Sequence, residues 1–305
     1  MQTLGGGLLV VPIGRVGDDA AGKEVKHHLS RVGVDLSYLA TDPRIPSLFS
    51  VCFAYPSGEG GNLTTLNSAS GAVSADAIAE TESLFERFEH RGIAAVAPEV
   101  PLAAREMLLR LATRYDFLRV GSFVAGELRD AGFASLIASV DVLAVNLEEA
   151  AALAGMAPEA EPNEIVLGAI GAARARNEEV QLVITAGKSG SWVWDGATLS
   201  RDSGIPAAVV NSAGAGDAHV AGLIVALASG LAILEANAFA TVVSAMKVGR
   251  PDAIAWDIDP RSVQDAAAEF QRPLPPSLRE RLDDRRQQAE AIPIGLDSTT
   301  KGKSK

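Results

Sequence analysis

An apolar segment, Ala207-Ala208-Val209-Val210, runs directly into Asn211-Ser212-Ala213-Gly214-Ala215-Gly216-Asp217, and a stretch of helical spacing follows. Val220, Leu223, Ile224 and Leu227 recur on one helix face, which predicts a helix laid on a sheet. Strand, small-residue turn and helix N-terminus together make a phosphate site. Gly214, Ala215 and Gly216 have little bulk, so an anion can approach their N–H groups. The first N–H groups of a helix lack intrahelical partners, and the helix dipole is positive at that end. Asp217 sets a carboxylate beside the anion, where it could take a proton from an attacking hydroxyl. Taken alone, the same turn also reads as an ordinary helix start, since Asp in a first turn stabilises any helix.

Further segments predict a layered α/β fold. Short apolar runs at Leu8–Ile13, Ile93–Ala97, Phe117–Val120, Val142–Val145 and Leu182–Thr185 read as buried strands. Helical patterns separate them: Asp19–Val32, Ser74–Glu89, Leu102–Tyr115, Gly126–Ile137, Leu147–Ala154 and Asn163–Asn177. Ser47–Ala54 and Leu63–Asn67 flank the turn-rich Pro56-Ser57-Gly58-Glu59-Gly60-Gly61 and predict a hairpin. Trp192–Trp194 and Leu199 suggest a second hairpin around Asp195-Gly196. Such alternation predicts an open, mostly parallel, doubly wound sheet with helices on both faces. Ligands of these sheets bind beyond the carboxyl ends of strands, where Asn146, Gly187 and the Gly214 turn all fall.

With 305 residues, 48% of them hydrophobic but only 5% aromatic, the chain packs chiefly through Ala, Val, Leu and Gly. A net charge of −11 argues against a nucleic-acid partner, which needs a cationic face. Cys52 is the one cysteine, so no intramolecular disulfide can form, which fits a cytoplasmic location. No leader is visible at Met1-Gln2-Thr3. Ala218–Met246 carries one formal charge, Glu235, but Ser229-Gly230 divides it, so two buried helices are expected rather than a membrane span. Prolines 273, 275 and 276 and the charges between Arg279 and Arg286 predict a short charged helix and then a disordered tail.

The Asn211–Asp217 stretch resembles the second signature of the ribokinase family, the PfkB-type carbohydrate kinases. Gly14-Arg15-Val16-Gly17-Asp18-Asp19 with Gly22, Gly33-Val34-Asp35, the Asn146-Leu147-Glu148-Glu149 motif, Thr185–Gly190 and Ala236-Asn237-Ala238 resemble other family segments in the same order. The resemblance implies a ribokinase-like kinase domain over residues 1–270, a small β lid at about 45–67, and a charged tail at 271–305. It implies ATP and Mg²⁺ as cofactors and a sugar or sugar-like small molecule as substrate. Asp217 would be the base, with the amides of Gly214, Ala215 and Gly216 as the anion hole. Asn146 and Glu149 would organise Mg²⁺ through water. Thr185, Gly187 and Gly190 would line the nucleotide, Asn237 would sit near its base, and Glu99 and Asn62 would touch the sugar. Other readings stay open: a non-catalytic nucleotide-binding protein, or a nucleoside kinase on the same scaffold.

The chain also departs from the family pattern. It enters at Leu4-Gly5-Gly6, which resembles the end of the family's sugar-binding helix, so either the true start lies upstream or the preceding strand and much of the sugar site are missing. An exposed sheet edge of that kind, or the lid, would offer a surface for a homodimer. Asn211 replaces the acid that helps hold a monovalent cation in the family, and a neutral amide would weaken that site. His219 stands where an aromatic Phe is usual and reads as a packed residue rather than a catalyst.

Overall fold

A computed structural model describes residues 1–4, 8–54 and 60–291, and in 52–54, 60–62 and 285–291 the backbone alone. In chain order, β1 (Gly14–Gly17), α1 (Ala20–Arg31) and β2 (Leu39–Asp42) open the molecule, and β3 (Ser50–Ala54) and β4 (Gly60–Thr64) follow. Next come α2 (Ala75–Ala79), α3 (Glu82–Arg87), β5 (Ile93–Val96), α4 (Leu102–Arg114), β6 (Leu118–Gly121), α5 (Ala125–Arg129), α6 (Ala134–Ala138), β7 (Val142–Asn146) and α7 (Leu147–Ala154). The chain continues through α8 (Pro162–Arg174), β8 (Gln181–Thr185), β9 (Ser191–Trp194), β10 (Leu199–Asp202), α9 (Ala215–Leu227), α10 (Ile233–Val248), α11 (Pro260–Glu269) and α12 (Pro276–Ala291).

Six strands pair in the order β10-β9-β8-β7-β6-β5, and β5 through β8 are parallel. The β9–β10 hairpin adds an antiparallel edge. Alternate residues of the central strands serve opposite cores. Val142, Ala144, Val183 and Val193 pack with α9 and α10, whereas Leu143, Val145, Leu182 and Ile184 pack with α7 and α8. Burial on both faces is what a parallel sheet covered by helices requires, and it explains the unbroken apolar runs. The β1–β2 pair is parallel and separate, and β3–β4 is an antiparallel hairpin. Among the described residues no helix is long and apolar enough to cross a membrane.

Several sequence expectations change here. Leu8–Ile13 forms no strand, because the ladder with β2 begins only at Gly14; Leu8 and Ile13 instead lie half-buried against the cores. Ala207–Val210 forms no strand either. Val209 and Val210 are 68% and 62% exposed, and the Val210 N–H donates to the Val248 carbonyl rather than to a neighbouring strand. The Ser74–Glu89 helix is split at Thr81, a buried residue whose hydroxyl donates to the Ile78 carbonyl and competes with the helix ladder. Asp130 likewise ends α5 by accepting from the Gly132 N–H. The charged helix α12 forms as expected and packs on the domain: Leu274, just before it, and Leu278 and Leu282 on it are buried in the same core as α9 and α10. Residues 292–305 lie outside the described residues, as does the Gly5-Gly6-Gly7 run.

Candidate active site

Gly214 caps α9 in a left-handed conformation (φ 79°) that favours glycine. Its own amide and those of Gly216 and Asp217 have no hydrogen bond to a described residue. The Ala215 N–H differs from expectation: it donates to the Ser212 carbonyl at 3.1 Å, because the chain tightens into a turn just before the helix. The cradle of free donors is therefore Gly214, Gly216 and Asp217. The Asp217 carboxylate is exposed, and no hydrogen bond or ion pair from a described residue engages it.

The neighbouring helix α10 holds this turn in place. The Val248 carbonyl accepts from the amides of both Val210 and Asn211, and Ser244 Oγ donates to the Ala215 carbonyl at 3.0 Å. Lys247 Nζ donates to the Asn211 carbonyl at 2.8 Å. Asn211 folds its side chain onto the turn, Oδ1 accepting from the Ala213 N–H and Nδ2 donating to the Pro251 carbonyl. Neither Lys247 nor Ser244 was singled out from the sequence. One signal existed for Lys247: it closes a long apolar helix as the first cation after its start.

Asn146 and Thr185 are register partners at the carboxyl ends of β7 and β8. Asn146 begins α7 with a capping box: its Oδ1 accepts from the Glu149 N–H, and Glu149 Oε2 accepts from the Asn146 N–H, each at 2.8 Å. Burial raises the Glu149 carboxyl; its bond from the Asn146 amide opposes this, and the charge of Glu148 adds to it. Glu149 Oε1 has no partner among the described residues, so one carboxylate oxygen stays free at the strand ends. Among the described residues no group of three acidic, His or Cys side chains could hold a metal directly. The pair fits Mg²⁺ held through water, since that ion commonly keeps several of its waters.

Gly187 is exposed with open space around it, and among the described residues Thr185 Oγ1 reaches only the Val145 carbonyl, at 3.5 Å. Gly190 is fixed by packing instead: a Cβ there would lie 2.0 Å from the Asp202 carbonyl oxygen. Asn237 is 1% exposed and exchanges hydrogen bonds with Ser191, which ties α10 to the start of β9. It borders a cavity of about 290 Å³ with Val193, Asp202, Leu234 and Arg272, the last two charges forming a bidentate pair. His219 is buried, and desolvation pushes its imidazole down to about 4, with Asn237 and Asp202 pulling the other way. A neutral, enclosed His219 matches the packed role expected of it.

Glu99 is exposed just past β5 and has a left-handed backbone (φ 73°), uncommon for a residue with a side chain. Asn62 lies on β4, paired with Cys52, and its side chain is outside the described residues. Farther from the turn, Asp19 explains the Gly14–Gly22 motif structurally. It caps α1 through the Gly22 N–H and accepts from both the amide and hydroxyl of Ser47, anchoring the base of the β3–β4 hairpin.

Residues 2–259 match the family described as pfkB family carbohydrate kinase. Solved structures share the fold. Ribokinase from Arabidopsis thaliana, complexed with ribose and ATP, superposes with a TM-score of 0.70 at 23% identity, covering 87% of this chain and 83% of that one. Ribokinase from Giardia lamblia gives 0.73 at 18% identity, covering 87% of each. An E. coli protein described as ribokinase II, in complex with ATP and Mg²⁺, gives 0.69 at 16% identity, covering 88% of this chain and 86% of that one. Fructoselysine 6-kinases of Shigella flexneri and Escherichia coli K12 are 33% identical over 67 residues, 22% of this chain. The matched segment spans about a quarter (26%) of the length of these curated relatives.

Proposed function

Since the chain belongs to the pfkB family of carbohydrate kinases, we propose that it transfers the γ-phosphoryl group of ATP to a hydroxyl of a sugar or sugar-like small molecule. One observation carries this reading: an unengaged carboxylate, Asp217, lies in the first turn of a helix whose opening amides are free. Asp217 accepts the proton of the acceptor hydroxyl as its oxygen attacks phosphorus. The amides of Gly214, Gly216 and Asp217 hydrogen-bond the oxygens of the transferring phosphoryl, and the α9 dipole favours its charge. Because α10 bonds the turn, these donors are oriented before the substrate arrives.

Asn146 and Glu149 would hold Mg²⁺ through water at the ends of β7 and β8. The ion's contribution is to neutralise phosphate charge. Thr185 and Gly187 line the nucleotide alongside. Asn237 shapes the adenine end from behind by fixing Ser191, rather than by touching the base. On α10, Asn237 and Lys247 are ten residues apart, ~15 Å along the axis, comparable to an extended nucleotide triphosphate. Glu99 supports a sugar contact, since a left-handed non-glycine residue at a strand end is the kind of strain found at binding sites. The β3–β4 hairpin acts as a lid on the domain. Its cross-strand pair Val51 and Leu63, with Phe49, is apolar and exposed, a surface that closure over a sugar or pairing with a second copy would cover.

Calorimetry with ATP–Mg²⁺, run beside a turnover assay on a panel of ribose, fructose, fructoselysine and nucleosides, tests the reading. Binding with phosphorylation of a sugar or sugar derivative is the expected result. Binding without turnover on any panel member would make this a nucleotide-binding protein, and turnover on nucleosides alone would reassign the acceptor. Failure to bind ATP in any form would remove the proposal altogether.

A further inference from the structure

Lys247 is 1% exposed in the last turn of α10, and among the described residues no carboxylate lies within ion-pair distance of it. A buried ammonium without a carboxylate is costly, so its surroundings must supply compensation. They do so with one carbonyl oxygen and a helix end. Nζ donates to the Asn211 carbonyl, and the negative end of the α10 dipole lies alongside. The side chain runs directly behind the phosphate turn: a Cβ on Gly214 would lie 3.6 Å from Lys247 Cε and 2.2 Å from the Ala253 carbonyl oxygen. Arg250, the other cation of this region, is committed to Asp257 and to the Met246 carbonyl. Burial lowers the Lys247 ammonium from its ordinary range, and the field of Asp252 offsets only part of that.

The family resemblance implies a bound monovalent cation at position 211, but the residues present do not fit one. Asn211 is uncharged, both polar atoms of its amide are used within the protein, and its carbonyl is taken by Lys247. We propose that the Lys247 ammonium is a built-in monovalent cation, holding the Asn211–Gly216 turn and supplying fixed positive charge behind its anion-binding amides. Nucleotide binding is then independent of potassium. Lys247 is a positioning residue: it touches the turn, not the phosphoryl group. This inference rests on the turn being the phosphate site of the proposed kinase.

The experiment measures ATP–Mg²⁺ affinity by calorimetry for the wild type and Lys247→Met, in potassium chloride and in tetramethylammonium chloride at matched ionic strength. The wild type should bind equally in both salts. Lys247→Met should bind at least about tenfold more weakly in tetramethylammonium, the loss expected of one charge-assisted contact. Potassium or methylammonium should restore part of that loss, which a merely structural role would not produce. Wild-type affinity that falls severalfold without potassium overturns the inference alone, as does a Lys247→Met protein that binds like wild type in tetramethylammonium. Should Lys247→Met fail to fold, the wild-type salt comparison and Lys247→Arg, which keeps the charge and should keep salt-independent binding, still decide. A wild type that binds neither ATP nor inorganic phosphate in either salt overturns the kinase reading and this inference with it.

Discussion

The Gly214 Cα faces the Ala253 carbonyl so closely that an added Cβ would come within 2.2 Å of that oxygen. The turn before α9 and the loop after α10 thus meet backbone to backbone at this point. Gly214 also has a φ of 79°. Gly214→Ala should therefore lose about 1–2 kcal/mol from left-handed backbone strain alone, and the contact with Ala253 adds to it. Urea unfolding should report the loss, and ATP affinity should fall with it. A variant with wild-type stability would mean that the turn relaxes freely.

Asp217 is exposed and unengaged, so its removal should leave the fold alone. Asp217→Asn should lower turnover by roughly 10²–10⁴-fold, the worth of a positioned base, with melting temperature and ATP affinity unchanged. Near-normal turnover would take Asp217 out of the chemistry.

Capping and metal roles at Asn146 and Glu149 can be separated. Asn146→Ala removes an N-cap and should cost about 1 kcal/mol of stability. Glu149→Gln keeps an acceptor for the Asn146 amide but removes the charge, so stability should change little while the Mg²⁺ concentration needed for half-maximal turnover rises. An unaltered Mg²⁺ requirement would leave Glu149 as a cap alone.

His219 gives the fold a pH dependence with a definite sign. Its imidazole titrates near 4 when folded and near 6.5 when unfolded, so the unfolded chain binds the proton first as pH falls. The stabilisation is complete above pH 6.5 and is lost progressively toward pH 4, on the order of 3 kcal/mol in all. Urea unfolding of wild type and His219→Phe across this window checks it. The variant should lose that part of the slope, and an identical slope would assign it to other groups.

Leu278 and Leu282 anchor α12 with both side chains fully buried. Leu282→Ala should destabilise the whole domain by about 2–5 kcal/mol, seen as an earlier cooperative unfolding transition. A loss confined to fraying of the C-terminal helix would show that α12 is separable from the core.

Where local pattern and burial agree, the structure was legible in advance. The interiors of β7 and β8 are apolar because both faces are covered. Ser229-Gly230 marks the break between α9 and α10, where Gly230 has a φ of 79°. Where a residue's role depends on a distant partner, local pattern misled. Ala207–Val210 is as apolar as a strand, yet no sheet edge receives it. The charges of α12 conceal two leucines one helical turn apart, which are buried in the core that α9 and α10 form. Ala215 looked like an anion-hole donor until the turn folded its amide onto Ser212.

Sequence alone determined the alternation of strands and helices, the glycine turn before α9 and the carboxylate type at Asp217, because periodicity, small-residue turns and capping are encoded within a few neighbours. Tertiary structure decided which amides stay free, which helix braces the turn, and that Lys247 reaches the Asn211 carbonyl across 36 positions of chain. Those outcomes depend on how helices settle on the sheet, and desolvation and hydrogen-bond competition at a site are set by everything packed around it.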